Sequence, residues 1–258
     1  MPSAKLVRLL ILLVAVAVFV AACGDDDDSA GFSLVRSGTL TVCTDAPYEP
    51  FEFEGPDGEF TGFDMDLLRS IARGLDLELS VAVVPFDGIW LLPAAGECDL
   101  VGSAMTITEQ RQQAALFSDP YFDADQSLLV RAADREKFAT LASLAGANIG
   151  VQTGTTGEIY AQENTPAGAT LVSFDEPAAM FLALVAGDID AILQDLPVNG
   201  FRQTKDESMV VTETFPTDEQ YGFAVDPDNA GLIEAVNEQL RRLRSSGEYD
   251  TIFEKWFG

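Results

Sequence analysis

Residues 63–84 read FDMDLLRSIARGLDLELSVAVV, and the change of period inside this stretch decides the fold. Phe63, Leu67, Leu68, Ile71, Ala72 and Leu75 fall at helical spacing, with Arg69 and Arg73 on the opposite side. Gly74 closes the pattern as a helix stop does. From Leu77 to Val84 the β-branched residues alternate, which predicts a strand. Upstream, TLTVCT over 39–44 predicts a first strand. Downstream, a short helix over about 88–95 and a strand over 99–103 follow. Strands alternating with helices imply α/β architecture with parallel sheets of the doubly wound kind.

The second half repeats this grammar. Strands are predicted over 148–152, 170–174 and 191–195, and helices over 156–164, 177–186 and 197–205. One unit recurs visibly: Phe86-Asp87 leads through a helix to Gly96, and Phe174-Asp175 leads through a longer one to Gly187. Two copies of a strand–helix–Gly–strand unit point to two similar lobes. Near the end, Leu232, Val236, Leu240 and Leu243 mark a helix that Gly247 stops, and a short helix follows over 249–257.

Composition narrows the function. The 258 residues carry 42 acids against 15 Lys and Arg and no histidine, for a formal net charge of −27. Such a chain repels phosphate backbones and anionic membranes, so nucleic acid is not an expected partner. Without histidine there is no Ser–His–Asp or Cys–His catalysis and no His-ligated metal, and three cysteines do not make a Cys-rich zinc site. No cofactor is expected.

Residues 1–22 read as an export leader. Lys5 and Arg8 precede an uninterrupted apolar run from Leu9 to Ala22, too short for a comfortable membrane span. The run ends Val20-Ala21-Ala22-Cys23-Gly24, which resembles the lipobox of bacterial lipoproteins. That resemblance makes Cys23 the lipidated N-terminus of the mature chain. Residues 23–36, with Asp25 to Asp28 in a row, then read as a flexible acidic tether. An oxidising exterior suits one disulfide between Cys43 and Cys98. Each also lies beside an apolar strand, where a free thiol packs as a small hydrophobe, and spacing does not choose.

Ligands of open α/β sheets bind beyond the carboxyl ends of strands. The residues there are Asp45, Tyr48 and Phe51, then Phe86, then Ser103 to Arg111, then Thr153 to Gly157, and finally Gln194-Asp195. At these positions the chain resembles the bacterial extracellular solute-binding proteins of family three, the polar amino-acid receptors of ABC importers. The motifs are Gly62-Phe63-Asp64-Met65-Asp66-Leu67, Ala104-Met105-Thr106-Ile107-Thr108-Glu109-Gln110-Arg111, Phe117-Ser118-Asp119-Pro120-Tyr121, Gly150-Val151-Gln152-Thr153-Gly154-Thr155-Thr156 and residues 249–258, in order. The resemblance implies a two-lobed clamp of the periplasmic-binding-protein-like type II, with lobe 1 over 37–121 plus 222–258 and lobe 2 over 122–221. Two crossings are expected, near 120–125 and 218–221.

The resemblance also assigns the site. Arg111 is expected to fork onto the carboxylate of a free amino acid, completed by the Thr106 hydroxyl and donors around Thr155 and Thr156. Asp195, sharing with the Ala104 carbonyl, is expected to take the ammonium group, and Ser103 beside it is a further expected ligand-binding residue. Asp45, Tyr48 and Phe86 line the side-chain pocket, and Gln152 stands where some relatives have lysine, so an acidic ligand is disfavoured and glutamine, arginine or another polar or basic amino acid is expected. Asp64 and Asp66 read as helix-dipole partners and Glu49 as solvent-exposed. No buried acid beyond Asp45 and Asp195 is expected.

The expected role is a monomeric lipid-anchored receptor, outside the cytoplasmic membrane, that delivers its amino acid to an ABC permease without turnover. The alternative is an enzyme like the cyclohexadienyl or arogenate dehydratases on the same fold. A sensing module is the third class; the chain ends at Gly258 without an output domain, which counts against it.

Overall fold

The computed structural model describes residues 31–258; the leader and Cys23 lie outside the described residues. Strand β1 (Thr39–Thr44) forms as expected, and a small hairpin of β2 (Phe53–Glu54) and β3 (Phe60–Thr61) precedes helix α1 (Phe63–Gly74). Then come β4 (Glu78–Val83), β5 (Leu100–Val101), the single-turn α2 (Glu109–Gln112) and β6 (Leu116–Phe117). The helix expected over 88–95 is only a 3-10 turn at Ile89–Leu91. Pro93 lacks the N–H that a continuing helix needs.

A long strand β7 (Phe122–Arg131) leads to β8 (Asn148–Gln152), α3 (Thr156–Asn164), β9 (Thr170–Phe174), α4 (Pro177–Ala186), β10 (Ala191–Asp195) and α5 (Leu196–Lys205). The equally long β11 (Met209–Tyr221) returns to β12 (Ala224–Val225), α6 (Ala230–Ser246) and α7 (Glu248–Phe257).

The strands make two five-stranded sheets, ordered β4-β1-β5-β12-β6 and β11-β7-β10-β8-β9. The fold is therefore α/β and two-lobed. Each sheet is mixed rather than wholly parallel. In the first, β4, β1 and β5 run parallel while β12 is antiparallel to β5 and β6. In the second, β10, β8 and β9 run parallel while β7 is antiparallel to both its neighbours, β10 and β11. The antiparallel strands are the ones that carry the chain between lobes. A segment that leaves one sheet and another that returns must run in opposite directions, and here they pair along their length.

Leu67, Leu68 and Ile71 of α1 and Leu232, Val236 and Leu240 of α6 are buried in one core with β1. The closing helices thus belong to the first lobe, which periodicity alone left open. At the seam, the Phe122 and Tyr221 rings of β7 and β11 stack 5.6 Å apart. Phe51 meets them edge-on at 5.0 and 5.3 Å, and Phe257 of α7 lies 5.0 Å from Phe122. These aromatics fix one end of the hinge pair to the first lobe. The second sheet buries a core on each face, around Ile149 and Leu193 on one side and Leu129 and Ile192 on the other.

Cys43 and Cys98 form a disulfide, with Cα atoms 5.8 Å apart. It joins the end of β1 to the approach of β5 across a sequence separation of 55. Constraining a loop of that size stabilises a fold by about 4 kcal/mol. Reduction, or Cys98→Ala, is therefore expected to lower the melting temperature by roughly 10 °C. Calorimetry with and without reductant measures this, and an unmoved transition would show that the bond constrains nothing.

Candidate functional site

All eleven residues singled out after the strand ends, Asp45, Tyr48, Phe86, Ser103, Ala104, Thr106, Arg111, Gln152, Thr155, Thr156 and Asp195, line one narrow, nearly closed cleft between the lobes. Local sequence explains how several are placed. Thr108 caps α2, its hydroxyl accepting from the Arg111 backbone N–H at 3.1 Å, so the helix's single turn fixes where the arginine stands. Thr155 caps α3 in the same way, accepting from Glu158 N at 3.1 Å. Gly154 before it has φ +78, and a Cβ there would lie 2.7 Å from the Asp87 side chain of the other lobe. Glycine is needed at that position both for the turn and for the approach of the lobes.

Arg111 is buried. Its guanidinium donates to the Thr106 carbonyl at 2.7 Å and, across the cleft, to the Gly154 carbonyl at 3.1 Å. Phe86 and Trp90 lie 5.2 and 5.1 Å from it, ring centroid to guanidinium carbon. Sequence reading missed Trp90. It sits in the 3-10 turn that replaced a full helix, so its direction was not set by helical period. Burial pushes Arg111 down to about 10, against the pull of Asp195, Glu219 and Tyr221, so it stays cationic at neutral pH.

Asp195 ends β10. Its Oδ2 accepts from the hydroxyls of Tyr48, at 2.9 Å, and Tyr221, and its Oδ1 from Gln126 Nε2 at 2.6 Å. Tyr48 belongs to the first lobe, so this too is a bond across the cleft. Burial and then the nearby Glu219 carboxylate push Asp195 up to about 6, while the three hydrogen bonds oppose them. Asp45, one residue past β1, accepts from Gln152 Nε2 of the other lobe at 2.5 Å. Burial and Glu176 push Asp45 up to about 6, against that bond.

Four expectations need correction. Asp64 is not an exposed dipole partner: it is fully buried, and its Oδ2 accepts from the Ala104 N–H at 2.9 Å and the Tyr121 hydroxyl at 2.6 Å. Glu52 is buried as well and accepts from the Ser103 hydroxyl at 3.0 Å, which itself accepts from Asp45 N at 2.9 Å. These two acids form the back of the Ser103-Ala104 wall and hold Ala104 at φ +43, a conformation unusual for a residue with a Cβ. The Thr106 hydroxyl proton goes to Glu219, not into the cleft. Glu49, read as exposed, is half-buried at the rim of a second groove. Glu219, Gln126, Glu52 and Asp64 were legible as residues but not as site members, because only the fold brings them in.

Among the described residues, no group of three or more Cys, Asp or Glu is placed to hold a metal ion, and no helix is long and apolar enough to cross a membrane.

Known proteins agree with this architecture. The profile of the bacterial extracellular solute-binding proteins, family 3, matches residues 40–258. The L-cystine-binding protein TcyJ of Escherichia coli (strain K12) is 31% identical over 223 residues, 86% of this chain and 83% of that protein. The ABC transporter arginine-binding protein 1 of the same strain is 34% identical over 218 residues, 82% of this chain and 88% of that protein. The crystal structure of a mutant of ArgBP from T. maritima superposes with a TM-score of 0.81 at 37% identity, covering 90% of this chain and 98% of that one. This chain belongs to the bacterial extracellular solute-binding proteins, family 3.

The buried acids make a pH prediction. Burial raises Asp45 and Asp195 to about 6 and Asp64 to about 7, from an ordinary 3.8. A carboxyl that binds its proton more tightly when folded favours the folded state fully below the unfolded value, and that contribution is lost as pH rises through the folded value. Glu238 and Glu248, held low by hydrogen bonds from Arg242 and Ser70, act in the opposite sense but only below their ordinary 4.5. The unliganded protein is therefore expected to melt higher at pH 5 than at pH 8. Thermal melts across that window check it, and a higher transition at pH 8 would contradict the burial of these acids.

Proposed function

We propose that this chain is an exported, lipid-anchored receptor that captures a basic L-amino acid between its lobes and hands it to an ABC permease. The observation that carries the reading is the pairing inside one cleft of a single cation, Arg111, with an acid from the other lobe, Asp195. A free amino acid presents the complementary pair, a carboxylate and an ammonium group. Arg111 offers the fork for the carboxylate, with the first-turn N–H groups of α3 at Thr156 beside it. Asp195 and the Ala104 carbonyl receive the ammonium. Neither buried charge is tolerable alone once water leaves, since an unpaired one costs several kcal/mol. The clamp therefore closes tightly only on a ligand with both poles.

Charge counting favours a basic side chain. Arg111 and Asp195 cancel against the zwitterion, which leaves Asp45 facing the rest of the ligand. A guanidinium or ammonium tip pairs with it; glutamine offers only a neutral donor; a second carboxylate repels it. Tyr48 and Phe86 provide apolar faces for the stem. The names of arginine-binding protein 1 and of ArgBP support the same class.

The dehydratase alternative needs an acid in the cleft that is free to move a proton. The carboxylates lining the cleft are Asp45 and Asp195, both engaged across the lobes, while Glu52 and Asp64 stand behind the wall. Export and anchoring rest on the sequence of residues 1–36: a leader over 1–22, lipid on Cys23, and an acidic tether that keeps a monomeric clamp near its permease.

Isothermal titration of unfolded-and-refolded protein against the twenty amino acids tests the reading. A basic amino acid is expected to bind at about 1 μM or tighter, roughly −8 kcal/mol. Arg111→Ala is expected to weaken that by more than about a hundredfold. Tightest binding of aspartate or glutamate, or full affinity in the variant, would overturn it.

A further inference from the structure

Glu219 is the third-last residue of β11, opposite Ala124 of β7, where the pairing register shifts. Asp218 before it has φ +52, so the returning strand is bent at this point. The Glu219 Oε2 accepts from the Thr106 hydroxyl at 2.7 Å and from the Thr156 hydroxyl at 2.6 Å. Its Oε1 accepts from Gln126 Nε2 at 3.1 Å. Thr106 belongs to the first lobe, Thr156 opens α3 of the second, and Gln126 lies on the outgoing hinge strand. One carboxylate thus joins both lobes and both crossings.

The two hydroxyl oxygens lie 3.4 Å apart. Each hydroxyl has a single proton, and both protons are committed to Glu219. Glu219 thus collects three hydrogen bonds, two of them from hydroxyls on opposite lobes. Glu219 does not line the central cleft; it faces two outer grooves instead. The two threonines it ties do line that cleft, so its bonds close the seam at the cleft's edge.

We propose that Glu219 is the closure latch of this clamp, a hinge-strand carboxylate that ties Thr106 of one lobe to Thr156 of the other from outside the ligand cleft. The proposal rests on the reading that the lobes close around a captured amino acid. A contact that forms on closing and breaks on opening sets how long the closed state lasts, and leaves entry to the open state unchanged.

The experiment uses purified full-length protein with L-arginine as the probe. In Glu219→Ala, stopped-flow dissociation is expected to be about tenfold faster, with association within about twofold of wild type. Glu219→Gln keeps one oxygen for both hydroxyls and is expected to fall between the two. A slower association with unchanged dissociation would overturn the latch. A second measurement is independent of the ligand: spin labels on exposed Glu97 and Glu163 report the distance between lobes without amino acid. Glu219→Ala is expected to shift that distribution to longer distances, and an unchanged distribution overturns the latch. If wild type fails to bind arginine but the distances shift, the functional reading fails and the latch stands.

Discussion

A cation and an acid buried in one cleft from opposite lobes dominate this molecule. Arg111 and Asp195 are both buried, on opposite lobes, and burial works against the charge of each. Such groups persist only when their surroundings supply hydrogen bonds and an opposite charge. Much of the local structure does so. The Thr108 cap, the Phe86 and Trp90 rings and two backbone carbonyls hold the guanidinium. Two tyrosines and Gln126 hold the carboxylate. The crossing strands matter for the same reason: β7 and β11 join the two sheets and bring these groups into one cleft.

The cleft wall shows what such an arrangement costs. Glu52 and Asp64 sit behind Ser103 and Ala104 without a cationic partner in their hydrogen bonds, and burial raises both. One oxygen of each has no partner at all. A core built only for stability would place apolar residues there. What the acids supply is direction: one fixes the Ser103 hydroxyl, the other the Ala104 N–H, so the short loop after β5 keeps an unusual backbone shape. Stability is spent on the shape of the wall.

Legibility in the sequence followed periodicity. Residues 63–74 and 191–195 were readable because one face or both faces are buried and the period shows it. β7 and β11 were not. DADQS and TETFPTDEQ are polar where they cross between lobes, although most of the first is buried, and β11 shifts register twice. The cleft residues stood out because strand ends in α/β sheets are privileged positions. Glu219 and Gln126 did not, because their partners lie 113 and 69 positions away and meet only through the crossings. Asp64 misled for a related reason: an acid in a helix's first turn usually faces water, and here the preceding loop folds over it.

The most direct test works on the ligand rather than the protein. Titration of L-arginine can be compared with agmatine, which lacks the carboxylate, and with the analogue in which hydrogen replaces the α-ammonium group. If Arg111 and Asp195 grip the two poles, each truncated ligand binds at least about a hundredfold more weakly, since each leaves one buried charge unpaired. Binding of either analogue as tight as that of arginine itself would contradict the account.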